Sequence, residues 1–294
     1  MKRTIEDYLR LAEISNRLRN IFELWGYREV FFPAIEEYSG GIRKGTKFAY
    51  DNGFYLINPD PTSRIIREFA DSSMRLFYIT EVLNGGIRGE WQAGVEMIGF
   101  DGMELSVEPI LVAITAMEAL GIEEFYVDVG SLSAWKEAIS DIPEFQGVVF
   151  SALTRRNFEL VERLPITGEK KDLLWDFFNF RGKESGFEKL DRVVRLIGDE
   201  RVFIDLGTVR PLPYYTDLIF EIYSPKLGKP LGGGGEYSIG SKKAAGFYLD
   251  IGAISKLYSG KERQRALVAA GDTCEAYRKA RKFVKLGIPV EVRR

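Results

Sequence analysis

The sequence contains no histidine among its 294 residues. Histidine is the commonest general base, the commonest metal ligand and the one side chain that titrates near neutral pH. Its absence excludes histidine-based catalytic triads and zinc-protease sites. The chain also has a single cysteine, Cys274. An intramolecular disulfide is therefore impossible and a thiolate metal site is implausible, so we expect no metal and a reducing, cytoplasmic location.

The sequence also has no excess of one charge and no long apolar run. Forty-one basic residues stand against 43 acidic ones, for a net charge of −2, whereas proteins that bind tRNA usually carry a basic face. No run approaches the roughly 18 apolar residues of a membrane span. The first residues are too polar for a secretion signal. We therefore expect neither tRNA nor a membrane as partner.

The first half of the chain alternates between helical and strand-like patterns. Apolar residues at three- and four-residue spacing predict a helix that begins after Thr4 and ends near Gly26. Residues 27–37 predict a strand that runs into Pro33. Two further strands, 75–83 and 90–100, predict a hairpin around Asn84-Gly85. A helix over 104–120 and a strand over 124–129 follow.

The patterns in the second half of the sequence predict that the whole chain has three parts. Residues 131–198 are rich in helical patterns and are interpreted as an insertion that splits a sheet domain formed by 1–130 and 199–258. Residues 259–294 predict a strand, a helix and a second strand. A two-stranded parallel sheet is too small to be stable alone. The predicted fold class is α+β.

Two segments carry the most specific pattern. Thr208–Tyr223 contains an arginine ahead of a double tyrosine, and residues 231–237 read Leu-Gly-Gly-Gly-Gly-Glu-Tyr. Four glycines with no following lysine fit neither a P-loop nor a dinucleotide fingerprint, so we predict a tight turn over a ligand. The two segments resemble the histidine-specific signatures of histidyl-tRNA synthetase. Residues 27–37, with Pro33, resemble motif 1 of class II aminoacyl-tRNA synthetases. The resemblance implies an antiparallel sheet flanked by helices, a dimer formed through motif 1 and a tail like a truncated anticodon-binding domain.

The resemblance also implies a histidine pocket. Its ammonium ligands would be Asp60, Thr62 and Gln92, its imidazole ligands Glu96 and Tyr215, and its carboxylate ligand Arg210. Tyr214 is the first of the two tyrosines, and Tyr237 would close the pocket. Three other interpretations stay open. Asp60 could instead cap a helix at Ser63, the pair 92 and 96 could form a solvated strand face, and the tyrosines could be core or interface residues.

The two arginines with which the synthetases hold ATP are replaced in this sequence. Asn84 stands where the motif 2 arginine is expected, and Ala253 where the motif 3 arginine is expected. Adenylation depends on stabilising phosphate charge. We therefore expect no ATP cofactor and no ligase activity.

This combination is similar to the regulatory subunits of ATP phosphoribosyltransferase. It implies a non-catalytic protein of histidine biosynthesis that joins the catalytic subunit in a hetero-octamer, activates it and conveys feedback inhibition by free histidine. The lack of histidine residues could then be chance, or could reflect a protein made without consuming what it monitors. The alternatives are an active truncated synthetase or amino-acid adenylating enzyme, and a scaffold with a vestigial pocket.

Overall fold

The computed structural model describes residues 4–38, 45–69, 73–83, 86–208, 215–260, 266–269 and 273–293. The chain forms two compact units, Met1–Tyr258 and Ser259–Arg294. The helices are α1 Ile5–Leu24, α2 Pro61–Glu68, α3 Met103–Ala119, α4 Leu132–Ala138, α5 Gln146–Arg155, α6 Glu159–Glu162, α7 Gly168–Asn179, α8 Glu188–Ile197, α9 Ile251–Ile254 and α10 Thr273–Lys285, with a 3₁₀ turn at Pro143–Phe145. The separation of 131–198 as an insertion stays a prediction.

The strands of the first unit form two sheets. They are β1 Arg28–Glu29, β2 Ile35–Glu37, β3 Thr46–Tyr50, β4 Gly53–Ile57, β5 Met74–Leu83, β6 Gly89–Ile98, β7 Tyr126–Ser131, β8 Arg181–Gly182, β9 Val202–Asp205, β10 Tyr215–Tyr223, β11 Gly232–Ile239 and β12 Lys242–Asp250. The large sheet has the order β1-β5-β6-β12-β11-β10-β7-β9-β8, and β2-β4-β3 form the small one. The large sheet is antiparallel except where β1 meets β5 and β7 meets β9. The predicted α+β class is confirmed.

Helix α1 forms as its sequence predicts. Thr4 accepts a hydrogen bond from the backbone of Asp7, whose carboxylate in turn accepts from the backbone of Thr4, so the first turn has a complete capping box. Its buried side chains are Leu11, Ile14, Leu18 and Phe22. They belong to a core that α1 and α3 share with the strands of the large sheet. The helices therefore cover one face of that sheet.

The strand predicted over 27–37 is wrong in its length. Only Arg28–Glu29 and Ile35–Glu37 are strands, and they belong to different sheets. Pro33 lies between them and cannot donate a ladder hydrogen bond, which breaks the pairing. Phe31, in the same interval, is 80% exposed.

The tight turn predicted at the four glycines is also wrong. Gly232–Gly235 begin strand β11, which pairs with β10 on one side and β12 on the other. A Cβ at Gly234 would lie 2.0 Å from the carbonyl oxygen of Gly246, and one at Gly232 would lie 2.2 Å from that of Tyr248. The glycines therefore serve the close approach of neighbouring backbones at this point in the sheet rather than a change of direction.

The second unit has the predicted strand–helix–strand order. Strands β13 (Ala266–Ala269) and β14 (Val290–Arg293) pair in parallel, with α10 between them in the chain. Ala276 and Ala280 are buried in a small cluster with Val290 and Val292. Among the described residues of both units, no helix is long and apolar enough to cross a membrane.

Candidate functional site

A cavity of about 940 Å³ lies on the sheet face, lined by residues of β5, β6, β12, β11, β10 and β7. Six of the eight predicted site residues line it, and the structure brings them together from separate segments: Asp60, Thr62, Gln92, Glu96, Tyr215 and Tyr237. The other two, Arg210 and Tyr214, lie outside the described residues. The predicted carboxylate ligand therefore remains a sequence-based expectation.

Glu96 is the hydrogen-bonding centre of this group. Its Oε1 accepts from the hydroxyl of Thr62 at 2.5 Å, and its Oε2 accepts from the hydroxyl of Tyr237 at 2.5 Å. The residue is 2% exposed. Burial raises the pKa of the Glu96 carboxyl to about 7, although both hydrogen bonds favour its ionised form. The site thus holds a carboxyl that changes charge near neutral pH in a chain without histidine.

Strand register explains how Glu96 and Gln92 reach the cavity. They lie four residues apart on β6 and so share one face of the strand. Glu96 is opposite Gly246 on β12, where a Cβ would fall 2.0 Å from Glu96 Oε2. Gln92 is 8% exposed. The alternative of a solvated strand face is therefore wrong, because both polar side chains are buried in the cavity wall.

Asp60 caps α2, as the alternative interpretation held. Its Oδ2 accepts hydrogen bonds from the backbone nitrogen and the hydroxyl of Ser63, at 3.0 and 2.8 Å. Asp60 also lines the cavity, so capping and ligand contact are compatible. The ammonium roles of Asp60 and Thr62 stay predictions; the Thr62 hydroxyl proton itself points to Glu96.

Tyr237 is both a core residue and a cavity residue. It is 2% exposed and packs in a cluster with Ile65 and Tyr78. Tyr215 is its direct partner across the β10–β11 pair and packs against the same cluster. The core interpretation of the tyrosines is thus correct for their rings and does not conflict with a role in the cavity.

Two polar residues stand out among the cavity residues that sequence reasoning missed. Tyr78, on β5, is opposite Gly94, where a Cβ would lie 2.4 Å from the Tyr78 hydroxyl. Gly94 therefore makes room for this tyrosine, and the pairing of β5 with β6 was the signal that could have found it. Thr208 is 2% exposed, and its hydroxyl has no hydrogen-bond partner among the residues that the structure describes. It borders residues 209–214, and no sequence signal distinguished it.

The remainder of the cavity carries a different set of charges. Lys229, in its lining, forms an ion pair with Asp250 at 2.5 Å, and farther along Arg181 pairs with Asp128 at 3.0 Å. The other carboxylate oxygen of Asp250 accepts from the backbone nitrogen of Ala253, which is at the predicted position of a lost arginine and is fully buried in α9. Asn84 lies outside the described residues. Within the described ranges, no group of three or more acidic or cysteine residues is arranged to hold a metal ion.

Comparison with known proteins shows the family to which this chain belongs. A family model described as histidyl-tRNA synthetase matches residues 4–194 and 171–254. A protein of Moorella thermoacetica named ATP phosphoribosyltransferase regulatory subunit is 30% identical, over 77% of this chain and 71% of that protein. The chain belongs to the histidyl-tRNA synthetase-like family that includes these regulatory subunits.

Solved structures of the family share its fold. A Bacillus halodurans protein titled ATP phosphoribosyltransferase regulatory subunit/histidyl-tRNA synthetase superposes with a TM-score of 0.83 at 24% identity, covering 100% of this chain and 91% of that one. A chain of the ATP phosphoribosyl transferase (HisG:HisZ) complex of Thermotoga maritima gives 0.70 at 19% identity, covering 81% and 96%. The class II synthetase-like fold implied by the sequence is confirmed.

Proposed function

We propose that this chain is a non-catalytic, histidine-binding regulatory subunit of ATP phosphoribosyltransferase. The observation that carries the proposal is the buried Glu96 cluster, with its hydrogen bonds to Thr62 and Tyr237, in a member of this family. Free histidine presents an ammonium, a carboxylate and an imidazole, and a selective site must meet each with a complementary group.

We assign described side chains to two of these three groups. Asp60 and Gln92 meet the ammonium, and Glu96 with Tyr215 and Tyr237 meets the imidazole. The Glu96 carboxylate already accepts hydrogen bonds from two hydroxyl groups, so in this proposal the site is arranged before the ligand enters. A preorganised site loses less conformational entropy on binding. Arg210 completes the proposal as the carboxylate ligand.

Regulation follows if histidine binds two states of the assembly with different affinity. A ligand that binds both states equally shifts neither. The partner is the catalytic subunit, which the chain activates in a hetero-octamer and inhibits when histidine is bound. The relative named regulatory subunit and the fold shared with a chain of a HisG:HisZ complex support this partnership.

The chain carries no ligase activity in this proposal. Ala253 is a buried, uncharged residue where a synthetase of the family would place an arginine, and alanine cannot neutralise a phosphate. The competing function, histidine adenylation, is favoured by the synthetase family model. It requires ATP–pyrophosphate exchange dependent on histidine, for which we expect a rate no higher than that of a protein-free control.

Glu96→Ala tests the proposal. Losing a charge-assisted hydrogen bond of about 1.5–3 kcal/mol would weaken histidine binding by roughly 10- to 150-fold. In the complex with the catalytic subunit, the histidine concentration for half-inhibition should rise by the same factor while the complex elutes at its normal size. Glu108→Ala, which removes a carboxylate paired with Arg75 on the other side of the sheet, is the matched control. Normal inhibition of the Glu96 variant would contradict the proposal.

A further inference from the structure

The two strands that carry Tyr215 and Tyr237 do not pair regularly. Tyr215 is opposite Tyr237, but the next recorded pair is Ile219 with Gly235, so β10 uses four residues where β11 uses two. Such an irregularity changes the direction of nearby side chains and weakens the local hydrogen bonding between the two strands. The placement of Tyr215 beside Tyr237 therefore needs support from outside the strand pair.

Asp217 lies inside this irregular segment and is held by side chains from other elements. Its Oδ1 accepts from the hydroxyl of Ser131, at the end of β7, at 2.6 Å. Its Oδ2 accepts from the ammonium of Lys189, on α8, at 2.7 Å. The extra residues of β10 are thereby fixed to β7 and to a helix.

Lys189 also reaches the second strand. Its ammonium donates to Oε2 of Glu236 at 2.8 Å, and the other carboxylate oxygen of Glu236 accepts from the hydroxyl of Ser106 on α3. Glu236 precedes Tyr237 in the chain and is 8% exposed. One cation thus joins β10 and β11 at the place where they carry the two cavity tyrosines.

We propose that Lys189 is a positioning residue for the ligand site: by holding Asp217 and Glu236 together, it fixes the irregular β10–β11 pairing that sets Tyr215 beside Tyr237. The proposal rests on the proposed histidine site, which lies on the opposite face of the sheet. Lys189 contacts no ligand in this account and acts only through the two strands.

The charges explain why the lysine matters. Without it, two carboxylates would face each other with no cation between them, and leaving a partly buried charge unpaired is unfavourable. Burial lowers the pKa of Lys189, but Glu236 and Asp217 more than offset this, so its pKa is raised. Burial alone would raise the pKa of Asp217. The contacts with Lys189 and Ser131 more than offset this effect, so its pKa is lowered. Both groups therefore stay ionised at neutral pH.

The test is calorimetric titration of the purified chain with histidine, alongside thermal unfolding of each variant. Lys189→Met should weaken histidine binding at least about tenfold, since the side chain keeps its length but leaves both carboxylates unpaired. Lys189→Arg, which can still reach both, should stay within about threefold of the unmodified protein.

Arg201→Met is the matched control. Arg201 also joins two carboxylates, Glu118 on α3 and Asp199, but it contacts neither strand of the tyrosine pair. We expect it to lower the melting temperature as Lys189→Met does, while histidine affinity stays within about twofold. If Lys189 only stabilised the fold, Lys189→Met and Arg201→Met would bind histidine with the same affinity. Equal losses of histidine affinity in the two variants would therefore overturn the proposal.

Asp217→Asn tests the positioning role of Lys189 if Lys189→Met does not fold. It keeps an acceptor for Ser131 and removes the charge that Lys189 holds, so affinity should fall by about three- to tenfold. Unmodified affinity in Lys189→Met or in Asp217→Asn overturns the positioning role alone. Absence of histidine binding to the unmodified chain overturns the proposed function and, with it, this inference.

Discussion

The two ends of the cavity differ in how their polar groups are organised. At one end, Glu96 is buried and receives hydrogen bonds from Thr62 and Tyr237, with glycine at Gly246 leaving space for its carboxylate. At the other end, the cavity residue Lys229 is already paired with Asp250, which also caps the helix that contains the buried Ala253. In the proposed function, the first end takes the imidazole of histidine, whereas the second has alanine where the resemblance predicts a phosphate-binding arginine. The proposal therefore separates amino-acid recognition from nucleotide chemistry.

The largest expected effect concerns the charge of Glu96. Its folded-state pKa is raised from the usual 4.5 to about 7 by burial. The folded protein therefore binds this proton more tightly than the unfolded chain does. The stabilisation is fully present below about pH 4.5 and is lost as pH rises through 7, a change on the order of 3 kcal/mol.

Glu96→Gln should remove that dependence. Denaturant unfolding between pH 4.5 and 8 measures the free energy of unfolding at each pH. This free energy should change less with pH in the variant than in the unmodified protein. Glu108→Gln is the control: Arg75 and Tyr27 hold the pKa of Glu108 below its usual value against the opposing effect of burial, so its contribution is lost only at lower pH. An unchanged slope in the Glu96 variant would show that this carboxyl does not titrate in that range.

The next effect concerns Gln92, which shares the cavity face with Glu96. Gln92→Ala should weaken histidine binding by at least about tenfold, because a buried hydrogen bond to a charged ammonium is worth about 1.5–3 kcal/mol. Calorimetry with histidine and with histamine, which lacks the carboxylate but keeps the amine, measures it. Equal affinity of the variant and the unmodified chain for both ligands would remove Gln92 from the site.

A smaller effect is expected for Tyr237→Phe. The ring keeps its place in the core, and only the hydroxyl that donates to Glu96 is lost. Histidine affinity should fall by about three- to tenfold, equivalent to one hydrogen bond of about 0.5–1.5 kcal/mol. Tyr223→Phe, at the far part of the cavity, is the control and should bind normally. A larger loss in the control would reverse the assignment of the two ends.

The smallest effect is expected at Arg156, a basic residue in the lining of the cavity. Arg156→Ala changes a cavity-lining residue whose backbone is left-handed, with φ of 48°, at the end of α5. Histidine affinity should stay within about twofold, as is usual for substitutions distant from a ligand. A tenfold change measured by the same titration would mean that the ligand extends across the whole cavity.

Sequence patterns predicted the elements whose signals are local. The helix that begins after Thr4 and the hairpin of β5 and β6 rest on neighbouring residues, and both are confirmed. The glycine run was misassigned because a glycine that permits a turn and a glycine that permits close strands look alike in sequence. Their distinction depends on Gly246 and Tyr248, which lie on a different strand.

In the candidate site, too, residues with a local sequence signal were predicted, and those that depend on contacts between separate elements were not. Glu96 and Gln92 were singled out through the resemblance to the synthetases, and strand alternation then placed both on one face. Tyr78 and the contact of Lys189 with Asp217 and Glu236 were not, since they depend on register and on a helix brought from another part of the chain.

The most direct test of the separation between the two ends is a calorimetric titration of the purified chain with histidine, repeated with ATP present. The account predicts saturable histidine binding that ATP leaves unchanged, and no heat of binding from ATP alone. Tight ATP binding, or histidine binding that appears only when ATP is added, would contradict it.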